Sequence, residues 1–263
     1  MELWQLLIQF VFRLTFGVAL AMGVTPAKHV TSGFYRVHLW VLLGLNTFGA
    51  LVVYSQREAF ADTLMNWPLV LGLAIDLVVI TYVGSVVWLY EKVQLGSAVI
   101  QGVAALALMA AIFATPWANT REPVAVALAI LDLVSSGVLL GVTLAAMLLG
   151  HWYLNTPTME LLPLRRLVMS MTVAILVRTL VSGAGLALQL GNDQSIDAAF
   201  WIFVTFRWLS GLLGTLTVAL MTWYTLKVPN TQSATGILYA GVILAFLGEL
   251  TSMLLSVDTL YPL

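Results

Sequence analysis

The sequence predicts an all-α polytopic membrane protein, a bundle of about eight transmembrane helices in which residues 1–263 form a single helical domain with no extramembrane domain. Three observations carry this. Of the 263 residues, 61% are hydrophobic and only 9% charged, against roughly a quarter charged in a soluble domain. The mean hydropathy is +1.00. The apolar runs reach the length, about 20 residues at 1.5 Å each, that a hydrocarbon core demands.

Taken in order, the first run spans 3–24 and stops at Thr25-Pro26. Its Ala19-Leu20-Ala21 has the look of a leader cleavage site, but the start carries Glu2 where a leader carries cations, and Arg13 interrupts the apolar stretch. It therefore reads as a retained helix. The second run, 33–54, follows Ser32-Gly33, and the third, 68–90, follows Asn66-Trp67-Pro68. The fourth, 97–116, is short and Ala-rich, so seven crossings is the rival count. The fifth, 124–150, closes before Thr156-Pro157; the sixth, 164–190, lies between Pro163 and Gly191-Asn192-Asp193. The seventh, 198–226, ends before Pro229-Asn230, and the eighth, 235–257, begins at Thr235-Gly236. These are the expected helix breakers and starters.

Orientation follows from loop cations, which are retained on the cytoplasmic side. With eight spans, Lys28, Arg36, Lys92, Arg165, Arg166 and Lys227 share one side, and only Arg57 and Arg121 lie on the other. This bias places both termini on the non-cytoplasmic side of a cell membrane, with the multi-pass chain in an inner membrane.

Six charges remain inside the spans: Arg13, Arg178 and Arg207 against Asp76, Asp132 and Glu249. An unpaired charge at bilayer depth costs about 3 to more than 10 kcal/mol, so the equal numbers point to pairing. Counted from the outer ends, all six fall near one level, and Asn46 joins them. Arg13, Asn46, Asp76, Asp132, Arg178, Arg207 and Glu249 thus form an expected intramembrane polar layer. Gln5 and Gln9 precede Arg13 at steps of four on one helix face, Ser135 and Ser136 follow Asp132 by one turn, and Thr251 and Ser252 follow Glu249. The shared tripeptide at Asp76-Leu77-Val78 and Asp132-Leu133-Val134 is a short echo of an internal repeat.

Two readings of the layer stay open. In one, Arg–carboxylate pairs fix helix register; in the other, the layer handles a ligand or protons, with Glu249 and Asp132 as protonatable members. His38 and His151 lie on different spans toward the opposite side and form the minimum pair for a b-type haem, whose iron takes axial imidazoles; the alternative is an interfacial position in the Trp and Tyr belt. Trp208 directly follows Arg207 deep in its span.

With 11 Lys plus Arg, 12 Asp plus Glu and no Cys, the chain offers no basic surface for nucleic acid and no thiolate for an iron–sulfur cluster. No P-loop, dinucleotide fingerprint, zincin or Ser-His-Asp motif is present. The composition instead suits a subunit of a redox or energy-transducing membrane complex that handles a quinone or protons, among other membrane subunits or a soluble partner at the membrane surface. A secondary transporter or channel for a small polar or anionic solute, or a structural or assembly subunit, are the alternatives.

Overall fold

Proline and asparagine set where the helices begin. Pro68, Pro123 and Pro163 occupy first turns, where their missing N–H is not needed. The Asn66, Asp197 and Asn230 side chains accept the Leu69, Phe200 and Ser233 amides at 3.4, 2.8 and 2.9 Å, satisfying donors that a helix start leaves open. The last cap starts its helix at Thr231, upstream of the hydropathic run, because a capped polar turn forms without apolar residues.

The computed structural model describes residues 3–61, 66–115, 122–156, 159–192, 197–228, 230–257 and 259–263. Among these, helix is the only regular secondary structure. Eight helices are long and apolar enough to cross a membrane: α1 (Leu3–Val24), α2 (Ser32–Ser55), α4 (Trp67–Leu89), α5 (Val93–Phe113), α6 (Pro123–Asn155), α7 (Leu162–Gly191), α8 (Ala198–Lys227) and α9 (Thr231–Leu255). The five-residue α3 (Arg57–Ala61) follows α2. The Ala-rich fourth run is α5, so the count of eight holds over seven.

The helices fall into two compact units, Met1–Ala118 and Asn119–Leu263. In the first, α2 packs on α1 and α4, while α5 packs on α1 and α4. In the second, α6 and α8 each pack on both α7 and α9. Each unit is thus a ring of four membrane helices with chain neighbours side by side, the arrangement that short loops impose. Asp76 lies on the third membrane helix of its ring and Asp132 on the first of the other, so the Asp-Leu-Val echo does not fall at equivalent places.

The first unit is organised around Trp88. Its indole stacks on Tyr35 at 4.1 Å with 12° between planes, and a Cβ on Gly96 would lie 2.6 Å from the indole Cε2. Glycine lets α5 pass under the ring. The Tyr35 hydroxyl donates to the Thr25 carbonyl at 2.8 Å.

In the second unit α8 and α9 cross with backbones touching. A Cβ on Gly248 would sit 2.2 Å from the Gly211 Cα, so a side chain at either position would drive the helices apart. The crossing lies in a π-helical stretch of α8, Arg207–Gly214, where the Thr215 hydroxyl donates five residues back to the Ser210 carbonyl at 3.4 Å. Such insertions widen a helix locally and recur at functional positions.

Candidate functional site

Four charged side chains converge inside the second unit. α7 supplies Arg178, fully buried, and its guanidinium is clamped from two sides. Its Nη1 meets Asp132 Oδ1 of α6 at 2.5 Å. Its Nε and Nη2 donate to the two oxygens of Glu249 on α9 at 3.1 and 3.0 Å, a bidentate fork that suits guanidinium geometry. The Ser252 hydroxyl takes a further Nη2 donation at 2.9 Å, and Ser135 lies at 3.5 Å from Nη1.

Arg207, on the π-helical stretch of α8, reaches the same carboxylate: its Nη2 stands 3.0 Å from Glu249 Oε1. The same nitrogen donates to Ser182 at 3.3 Å. Glu249 therefore joins two guanidinium groups, and the cluster balances two positive against two negative charges. Burial is nearly complete, with Arg178, Arg207 and Glu249 at 0% exposure and Asp132 at 6%. Charges this deep persist only when paired and hydrogen-bonded. The Gly211–Gly248 crossing makes room for the second guanidinium, since a Cβ on Gly211 would lie 2.5 Å from Arg207 Nη1.

One part of the cluster is not matched. Arg207 Nε and Nη1 are buried without a hydrogen-bond partner, although a guanidinium carries five N–H donors. An orphaned buried donor costs about 1–3 kcal/mol, and more on a charged group.

The polar residues of the first unit are placed differently. Arg13, Gln5 and Gln9 are all buried on α1. Gln9 Nε2 donates to the Ala111 carbonyl and the Thr115 hydroxyl of the α5 end, each at 2.9 Å. Asn46 is buried on α2, where its Oδ1 accepts the Thr15 hydroxyl at 3.0 Å. Asp76 differs from the sequence expectation, because it lies on an exposed face of α4 while Ala74 and Leu77 turn inward. The α4 sequence is apolar all round, so no hydrophobic stripe tells which side faces its neighbours.

His38 and His151 belong to different units. His38 is buried on α2, and its Nδ1 lies 2.6 Å from the Phe34 carbonyl; because a carbonyl only accepts, that nitrogen carries the proton. His151 is exposed at the end of α6, 3.3 Å from the Tyr239 hydroxyl. Neither unit assembles a histidine pair from them. Among the described residues no group of three or more His, Asp or Glu is placed to hold a metal ion.

Sequence reasoning missed Ser182, although its i+4 spacing from Arg178 puts it on the same helix face. It also missed residues 259–263, which approach the cluster from a loop and carry no periodic signal. A shallow cavity of about 640 Å³ lies along one side of α8 and is lined by Trp201, Ile202, Thr205, Phe206, Leu209 and Ser210. It is on the outer face of that helix, away from the buried Arg207.

Comparison with known proteins finds no matching family model, no matching curated protein and no matching solved structure. What is established is the class: a multi-pass, membrane-type helical protein with buried Arg and carboxylate residues.

Proposed function

We propose that this chain is a cell-membrane subunit of a redox or energy-transducing complex, with both termini on the non-cytoplasmic side, in which the Arg178, Arg207, Asp132 and Glu249 cluster handles protons or a quinone head group. The supporting observation is Arg207. A charge placed only to fix helix register is selected to have its donors satisfied, because each orphan lowers stability. Arg207 is fully buried yet leaves Nε and Nη1 open, which is what a group meant to receive an oxygen acceptor does. The π-helical stretch that carries it adds weight, since that geometry gives up regular hydrogen bonding at the point where a buried charge is introduced. Glu249 and Asp132 are the protonatable members, flanked by the Ser135 and Ser252 hydroxyls that contact Arg178.

The chemistry is restrained. A guanidinium holding a quinone carbonyl stabilises charge that develops on its oxygen during reduction, and a carboxylate one bond away supplies or accepts the accompanying proton. Testing this requires the protein in its own assembly. Purification from native membranes in mild detergent should bring other subunits with it, and quinol turnover by that assembly should fall by about 100-fold or more in Arg207→Gln while assembly is unchanged. Turnover that tracks only the amount of folded protein would leave the cluster as interhelical glue, the role of a structural or assembly subunit.

A second reading, a transporter or channel for a small polar or anionic solute, has two observations of its own. The buried arginine–carboxylate cluster and the two four-helix rings of like neighbour order support it, since transporters place charged groups inside the membrane and many carry internal repeats. Solute flux into liposomes containing this chain alone, lost in Arg207→Gln, would favour it over the redox reading.

A further inference from the structure

Asp76 sits where a carboxylate is hardest to keep. It lies about 14 Å along α4 from Trp67 and about 20 Å from Leu89 at 1.5 Å per residue, near the middle of a helix long and apolar enough to cross a membrane. Ala74, Leu77, Thr81 and Trp88 of the same helix are buried. Asp76 is exposed, and it makes no hydrogen bond or ion pair among the described residues. Acyl chains offer a carboxylate neither a donor nor a counter-charge, and ionisable groups at this depth are paired with other helices. Gly72, one turn before Asp76 on the same side, is exposed too, and a Cβ there would meet nothing within 4 Å. Glycine weakens a helix relative to alanine, and no contact inside the chain requires it here. A small residue on an outward side leaves room for another backbone to approach. Val79 and Val83, 55% and 44% exposed, continue that side at steps of three and four residues.

We infer that this side of α4 docks a transmembrane helix of another protein, one that carries a lysine or arginine at mid-depth and pairs it with Asp76 over the notch at Gly72. Charge selects the occupant. Arg13, Arg178 and Arg207, the three arginines deep in the spans, are at 8%, 0% and 0% exposure, so a second copy of this chain has no such cation to present. Two copies joined along α4 would bring two carboxylates together instead, a like-charge contact. An uncharged helix would fit the notch and leave the carboxylate in hydrocarbon without a counter-charge. The inference rests on one part of the proposed function, that the chain is a subunit, and is independent of what the Arg207 cluster binds.

The test replaces Val79 with the photo-reactive p-benzoylphenylalanine in the full chain, illuminates native membranes and identifies the adduct by mass spectrometry of its peptides. The expected adduct joins Val79 to an apolar span of a different protein with a lysine or arginine inside it. Its yield should fall about tenfold or more in Asp76→Asn, and likewise in Gly72→Leu, which fills the notch. Both variants should keep the Tm of the parent or exceed it, because neither side chain touches the rest of the chain. Yield lost in Asp76→Lys should return when the cation of the captured span is replaced by aspartate. An adduct with a second copy, with lipid alone or with a span that has no cation would overturn the inference. So would a yield unchanged in Asp76→Asn, or one that falls only as Tm falls. Should Gly72→Leu fail to fold, Asp76→Asn and the charge exchange decide alone. No turnover or bound quinone is read, so failure here is separable from failure of the proposed function.

Discussion

Glu249→Gln removes the one side chain that holds both guanidinium groups of the second unit. Glu249 receives Arg178 at 3.1 and 3.0 Å and Arg207 at 3.0 Å, all at 0% exposure. The amide keeps the shape and one acceptor oxygen but leaves two buried guanidinium groups facing a single Asp132. An uncompensated buried charge of this kind costs about 3–5 kcal/mol, a loss of roughly 6–20 °C in Tm for a protein of this size. Asp132→Asn should cost less, about 1.5–3 kcal/mol, because Arg178 keeps its fork on Glu249. Arg207→Gln falls in the same lower range, since Glu249 keeps Arg178. The double variant Arg207→Gln/Glu249→Gln restores balance with Arg178 on Asp132, so it should be more stable than Glu249→Gln alone by about 1–3 kcal/mol. Thermal unfolding of the parent and the four variants in one detergent reads the order. A Glu249→Gln protein within about 1 kcal/mol of the parent, or a double variant weaker than both singles together, would refute the electrostatic account.

Gly248→Ala should separate α8 from α9 and cost about 1–3 kcal/mol or more, read as a fall in Tm, because the added Cβ would meet the Gly211 Cα at 2.2 Å. Gly96→Ala should tip the Trp88 indole off Tyr35 and reduce the near-ultraviolet circular dichroism of that stacked pair. The proposed orientation, with the loop cations on the cytoplasmic side, requires that alkaline phosphatase fused after Leu263 be active and a cytoplasmic fluorescent protein there silent. The reverse pattern would invert the orientation.

Fold class and helix number were legible because both follow from hydropathy and length, which are local. Which helices pack on one another was not, since apolar helices in lipid associate through shape and small residues rather than through a stripe that composition reveals. For the polar residues the balance of charges was legible, and so was the company of Ser252 and Ser135 on neighbouring turns. Which arginine meets which acid was not, because residues 71 apart in sequence, such as Arg178 and Glu249, are joined only by tertiary packing. Asp76 shows the limit from the other side: similar depth on a helix says nothing of rotation about its axis, and a rotation of half a turn separates a buried acid from an exposed one. The contacts of Tyr261 with Glu122 and of Leu263 with Ser252 depend on how a loop returns, for which the sequence has no period.

The central claim is that Arg207 receives an acceptor from outside the chain. The most direct measurement is the quinone extracted into organic solvent from protein purified out of native membranes and quantified by chromatography against protein. The account predicts close to one quinone per chain in the parent, and loss of most of it in Arg207→Gln prepared below its unfolding temperature, with Val204→Ala, an apolar change outside the cluster, retaining it. Equal quinone in parent and folded Arg207→Gln, or none in either, would contradict the account.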